Sequence, residues 1–80
     1  MIPRIKAFTP KENYQLQVTF DDGHTVVYDV MEDIRALPAF KSLETEYGLF
    51  KNAQLDKSRT CIYWNDLIDI PSDTIYEYGH

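Results

Sequence analysis

The sequence predicts an α+β fold: a small antiparallel sheet, made of a three-strand meander plus a C-terminal hairpin, covered on one face by a single helix and short helical turns. Three stretches carry this expectation. Residues 13–30 alternate apolar and polar side chains with the two-residue period of strands, residues 38–49 change to the three and four residue spacing of a helix, and residues 53–64 return to strand-like runs. Eighty residues suffice for one domain, 1–80, and a chain of this length buries only about 60% of the surface its unfolded form exposes. The core is therefore expected to be small.

In chain order, residues 1–8 read as a first strand, with Ile2 or Ile5 and Phe8 apolar and Arg4 and Lys6 between them, stopped by Thr9-Pro10. Lys11 and Glu12 turn the chain into the hairpin. There Tyr14, Leu16, Val18 and Phe20 share one face before the break at Asp21-Asp22-Gly23, and His24, Val26, Tyr28 and Val30 share one after it. A two-residue Asp22-Gly23 loop would set Asp29 opposite Leu16. A three-residue Asp21-Asp22-Gly23 loop instead pairs Phe20 with His24, Val18 with Val26, Leu16 with Tyr28 and Tyr14 with Val30. The second register keeps the apolar face whole, and Gly23 supplies the positive φ that such a turn requires.

Residues 31–37 suit one short helical turn, ended by Pro38 because the residue before proline avoids helical angles. Phe40, Leu43, Tyr47 and Phe50 then form the stripe of the covering helix, with Gly48 at its C-terminal end. Residues 53–56 and 59–64 read as two strands around a Lys57-Ser58 turn. Thr60, Ile62 and Trp64 lie on one face and Cys61 and Tyr63 on the other, the pattern of an interior strand or of one whose second face meets a partner. Leu67, Ile68 and Ile70 resume the strand pattern, and Ser72 is placed to cap a last helical segment through Tyr76. Trp64 is assigned to the core.

Composition narrows the function classes. No apolar run is long enough to span a membrane and the first residues lack a signal-peptide core, so the cytoplasm is the expected location; a single cysteine, Cys61, agrees with it. The net charge is -5, and residues 60–80 contain Asp66, Asp69, Asp73 and Glu77 with no Lys or Arg. Such a segment repels phosphates and favours a basic partner, so direct nucleic-acid binding is not expected.

No phosphate loop, paired cysteine motif or His-Glu-x-x-His occurs, and no enzyme activity, cofactor or metal is expected. Asp21, Asp22 and His24 resemble a cation site in composition, but Asp, Asp and Gly are also the residues a tight turn demands, and a metal needs ligands converging from elsewhere in the chain. Cys61 with His24 lacks a third, orienting group.

The order Phe20-x-Asp22-Gly23, Asp29, Phe40-x-x-Leu43, Phe50 and Trp64-Asn65-x-x-x-Asp69-Ile70, running into Asp73-Thr74-Ile75-Tyr76-Glu77, resembles the small bacterial family known as domain of unknown function 2442. The resemblance covers nearly the whole chain and departs at Leu67, where many members carry glycine. It implies an antitoxin-like component of a toxin and antitoxin pair, since stand-alone members are often encoded beside another small protein. It implies no catalytic residues. Together with the charge, it leads to the expectation of a non-enzymatic domain that binds a small basic protein, a toxin, through Tyr63, Asp66, Asp69, Asp73 and Tyr76. The alternative is a small-molecule pocket between helix and sheet, lined by Tyr28, Tyr47 and Trp64. An open sheet edge makes a homodimer the expected oligomer.

Overall fold

The computed structural model describes residues 2–80, which form two three-stranded antiparallel sheets around one hydrophobic core. The first is a meander of β1 (Ile5–Lys11), β2 (Gln15–Phe20) and β3 (Thr25–Asp29); the second joins β4 (Gln54–Leu55), β5 (Cys61–Asn65) and β6 (Ile68–Pro71). Between the sheets in sequence lie α1 (Met31–Ala36), α2 (Ser42–Thr45) and two 3₁₀ turns, Pro38–Lys41 and Phe50–Asn52, and α3 (Ser72–Tyr78) follows the second sheet.

The hairpin takes the three-residue register. Val18 is opposite Val26 and Leu16 opposite Tyr28, the Phe20 amide donates to the His24 carbonyl at 2.8 Å, and Gly23 sits at φ 93°. The Val30 amide extends the pairing to the Tyr14 carbonyl at 2.9 Å. Burial of Leu16, Val18 and Phe20 on one face is what selects this register, because a one-residue slip would turn all three to solvent. Tyr28, expected to line a pocket, is itself buried and donates its hydroxyl to Asp33 at 2.6 Å, fastening β3 to α1.

The first strand lies further along the chain than predicted. It begins at Ile5 and runs through Thr9 and Pro10 to Lys11, because β1 is an edge strand and an edge is where a strand tolerates a proline without its N–H. The turn that follows places Asn13 and Tyr14 in the left-handed region, at φ 63° and 60°. That conformation is unfavourable for Tyr14, whose ring is held edge-on against Phe50 at 5.3 Å.

The continuous helix expected over residues 38–49 does not form. Pro38 opens a 3₁₀ turn, α2 lasts four residues, Glu46 is extended, and Gly48 reverses the chain at φ 78° before the second 3₁₀ turn. So short a helix has too few internal hydrogen bonds to offset its nucleation cost, and it survives by packing. Phe40, Leu43 and Phe50 are buried as the stripe requires, whereas Tyr47 falls in the break and is fully exposed. The sheet faces are covered instead by Ile34 of α1, these three side chains, and Ile75 of α3. Trp64 is core as expected: its ring stacks on Phe50 at 5.8 Å and its indole N–H donates to the Phe50 carbonyl at 2.8 Å.

Residues 3–5 join the two sheets. The Ile5 amide donates to the Arg59 carbonyl at 2.7 Å, the Arg4 carbonyl accepts from the Asp21 amide at 2.9 Å, and the Pro3 carbonyl accepts from the Ser72 hydroxyl at 2.6 Å. Ser72 is thus fully buried and clamps the N-terminal segment rather than capping α3, whose N-terminus has no side-chain cap. Arg59 belongs to the β4–β5 turn, not to a strand. It is left-handed at φ 60° and donates to the Asp21 carboxylate through both terminal guanidinium nitrogens, at 2.8 and 2.9 Å. Asp56 shapes the same turn by accepting the Thr60 and Cys61 amides at 3.0 and 3.2 Å.

At the other side of the first sheet, His80 pairs with Val27 of β3 in both directions, at 3.1 and 2.9 Å, so the chain's own C-terminal residues occupy part of that edge. Gly79 permits this approach: a Cβ there would lie 2.6 Å from the Ile75 carbonyl oxygen and 2.7 Å from a Val26 methyl. Among the described residues, no helix is long and apolar enough to cross a membrane.

Two outcomes follow. Gly79→Ala is expected to detach His80 from β3, so that the Val27 amide loses its protection from hydrogen exchange while overall stability falls by only about 1 kcal/mol. At Arg59, replacement by Ala removes a partly exposed ion pair worth about 0–1 kcal/mol and keeps the backbone strain, whereas Gly removes the pair and relieves roughly 1 kcal/mol of strain. Urea denaturation should therefore rank Arg59→Gly above Arg59→Ala in stability.

Candidate functional site

The tight turn that closes the first hairpin also gathers polar groups. Asp22 accepts the His24 amide through Oδ1 at 2.9 Å, which fixes the carboxylate over the turn and leaves Oδ2 pointing to α3. There Oδ2 meets the Tyr76 hydroxyl at 2.8 Å and His24 Nδ1 at 2.9 Å, and the hydroxyl lies 3.1 Å from the same Nδ1. The Tyr76 ring is positioned by edge-on packing against Phe20, with centroids 4.9 Å apart, and against His24 at 5.5 Å. A residue of α3 and two of the β2–β3 turn, separated by more than fifty positions in sequence, thus share one cluster.

The His24 amide, followed by the Tyr76 hydroxyl, holds the Asp22 carboxyl down to about 2, and the same carboxylate is the main cause that pushes the Tyr76 hydroxyl above its ordinary value. Beside the cluster runs an open groove of about 840 Å³, whose lining includes Ile2, Pro3, Arg4, Phe20, Asp22 and Tyr76. Asp21, next in sequence, also borders the groove and accepts hydrogen bonds from Arg59. Among the described residues, no three His, Cys, Asp or Glu side chains gather at one place.

The residues singled out for partner binding divide between two places. Tyr63 and Asp69 are cross-strand neighbours on the outer face of the second sheet, where Tyr63 also approaches Gln54 at 3.3 Å. Asp66 lies in the exposed turn between β5 and β6, and Asp73 is exposed in the first turn of α3, where its carboxylate accepts the Thr74 amide. Tyr76 stands apart from them, against Asp22 and His24 of the other sheet. Cys61 shares the outer face of β5 as a half-buried thiol, raised above its ordinary value first by burial and then by Asp69 and Asp56.

The proposed pocket residues are not brought together. Tyr28 and Trp64 are parts of a filled core, and Tyr47 borders a separate shallow depression with Lys11, Tyr14 and Lys51. What the residue pattern did not reveal is the pairing of Tyr76 with the Asp22-His24 turn.

The Asp22 contacts have a pH signature. Because folding lowers this carboxyl from 3.8 to about 2, it binds protons more weakly in the folded state, so its stabilising contribution is complete above the unfolded value and is lost as pH falls through the window between the two. Asp22→Asn should flatten the acid limb of the stability profile in that window, as read from melting temperatures recorded across it.

Comparison with known proteins identifies one family. The family model described as Protein of unknown function (DUF2442) matches residues 5–80, all but the first four positions. No curated protein and no solved structure matches the chain. On the extent of that one match, the chain belongs to the family described as protein of unknown function DUF2442.

Proposed function

We propose that this chain is a non-enzymatic protein-interaction domain whose acidic second sheet binds a small basic protein, and that it acts as the antitoxin side of a toxin and antitoxin pair. The observation that supports this reading is the state of the C-terminal carboxylates. Asp66, Asp69, Asp73 and Glu77 are all exposed, and among the described residues none of them takes part in an ion pair. Unneutralised carboxylates on one segment raise the local negative potential, which speeds encounter with a cationic partner and disfavours wrong ones.

Apolar area suited to an interface core lies among them. Leu67 is 78% exposed at the β5–β6 turn, between Asp66 and the outer face that carries Tyr63 and Asp69. Bulky side chains ringed by charge give an interface its affinity, while the ring of charge gives it register. The partner-binding set on this reading is Tyr63, Asp66, Leu67, Asp69 and Asp73. Tyr76 contributes by anchoring α3 to the first hairpin.

The test is co-expression with the product of the adjacent gene, with reciprocal pull-down and sizing of the complex. Binding that weakens by about a hundredfold in Asp66→Lys, Asp69→Lys, Asp73→Lys, with an unchanged circular dichroism spectrum, is the expected result. Unchanged binding would remove this surface from consideration. Growth inhibition by the neighbour, relieved by this chain, is expected if the pair is a toxin and its antitoxin.

A further inference from the structure

Three donor atoms of different chemistry meet at the β2–β3 turn: a carboxylate oxygen of Asp22, an imidazole nitrogen of His24 and the phenol oxygen of Tyr76. Their mutual separations are 2.8, 2.9 and 3.1 Å. Donors bound about 2.0–2.2 Å from a common ion stand roughly 3.0–3.4 Å apart, so a small opening of this triangle makes it one face of a coordination shell. The frame that carries it is already set. The His24 amide fixes the Asp22 carboxylate, and Phe20 fixes the Tyr76 ring. Asp22 and Tyr76 also border the open groove, which leaves room beyond the triangle for water or a further donor.

We propose that Asp22, His24 and Tyr76 form a three-donor site for a divalent transition-metal ion, with its remaining positions open to the groove. The condition that the turn residues alone do not meet, a ligand arriving from a distant part of the chain, is met by Tyr76. An imidazole, carboxylate and phenolate set suits copper(II) or zinc(II), with copper(II) the tighter, and disfavours calcium and magnesium, which prefer shells of oxygen alone. Binding requires the His24 tautomer with its proton on Nε2 and releases the Tyr76 hydroxyl proton to solvent. One dipositive ion is then balanced by one carboxylate and one phenolate. Asp21 does not compete as a ligand, because both its oxygens are engaged by Arg59.

The probes are copper(II) and zinc(II) chloride, titrated separately into the full chain and followed by calorimetry and, for copper, by visible absorption. One ion per chain and a phenolate-to-copper charge-transfer band are expected. Tyr76→Phe, which keeps the ring packing, should abolish the band and weaken binding by about tenfold or more, and His24→Gln should weaken it further; His80→Ala should change neither. Equal affinity in the Tyr76 and His24 variants, or a band that survives Tyr76→Phe, would overturn the site. Should a variant fail to fold, paramagnetic broadening by copper(II) in the wild-type protein decides the matter: broadening centred on Asp22, His24 and Tyr76 supports the site, and broadening centred elsewhere overturns it.

Discussion

The structure depends on one seam, the passage of residues 3–5 between the turns of two hairpins. Neither three-stranded sheet has both faces covered by helices of useful length, and two-stranded or three-stranded units of this size are marginal by themselves. Backbone hydrogen bonds from Arg4 to the Asp21 turn and from Ile5 to the Arg59 turn make the two units share one core, into which Ile5, Leu16, Phe20, Ile62 and Ile75 are packed without exposure beyond 1%. Each such aliphatic or aromatic side chain contributes about 1.5–3 kcal/mol when removed from water, far more than the partly exposed Arg59–Asp21 pair. The pair's role is therefore geometric. It ties the β4–β5 turn to the first hairpin, while the left-handed backbone of Arg59 presents its carbonyl to the Ile5 amide.

The same logic explains the other departures from regular structure. Tyr14 accepts an unfavourable backbone angle where its ring gains Phe50, and Ser72 abandons a capping role because a buried hydroxyl must find a partner, which the Pro3 carbonyl provides. The covering layer is assembled from short pieces, with Phe40, Leu43 and Phe50 pinned in turn. A broken layer of this kind can follow the curvature of two small sheets more closely than one straight helix.

Two surfaces of different character result. One is the acidic outer side of the second sheet, where exposed carboxylates surround Tyr63 and Leu67. The other is the cluster at the end of the first hairpin, where Asp22, His24 and Tyr76 satisfy one another beside a groove that carries the cation of Arg4. The first spreads exposed carboxylates over an area, and the second concentrates a small number of directed bonds at one point. The two are joined mechanically through α3, which leaves the second sheet at Pro71 and lays Tyr76 on the first.

Local order in this protein was legible in the residues because it rests on short-range rules. The alternation from Leu16 to Tyr28, with glycine where positive φ is required, determined the hairpin and its register; the proline at position 38 ended α1; and the position of Trp64 on a strand's apolar face determined its burial. The acidic character of the second sheet was equally plain from charge alone. What only the tertiary structure decided are the features that depend on partners far away in sequence. The continuity of the covering helix failed because packing, not helical periodicity, chose which of its residues to bury, leaving Tyr47 in water. Pro10 remained in a strand because β1 turned out to be an edge. Tyr76 met Asp22 and His24, and Ser72 met Pro3, because the shared core brings α3 and its first residue against the first hairpin's turn and the N-terminal segment, and no periodicity or spacing encodes a contact that forms only when two separate hairpins share a core.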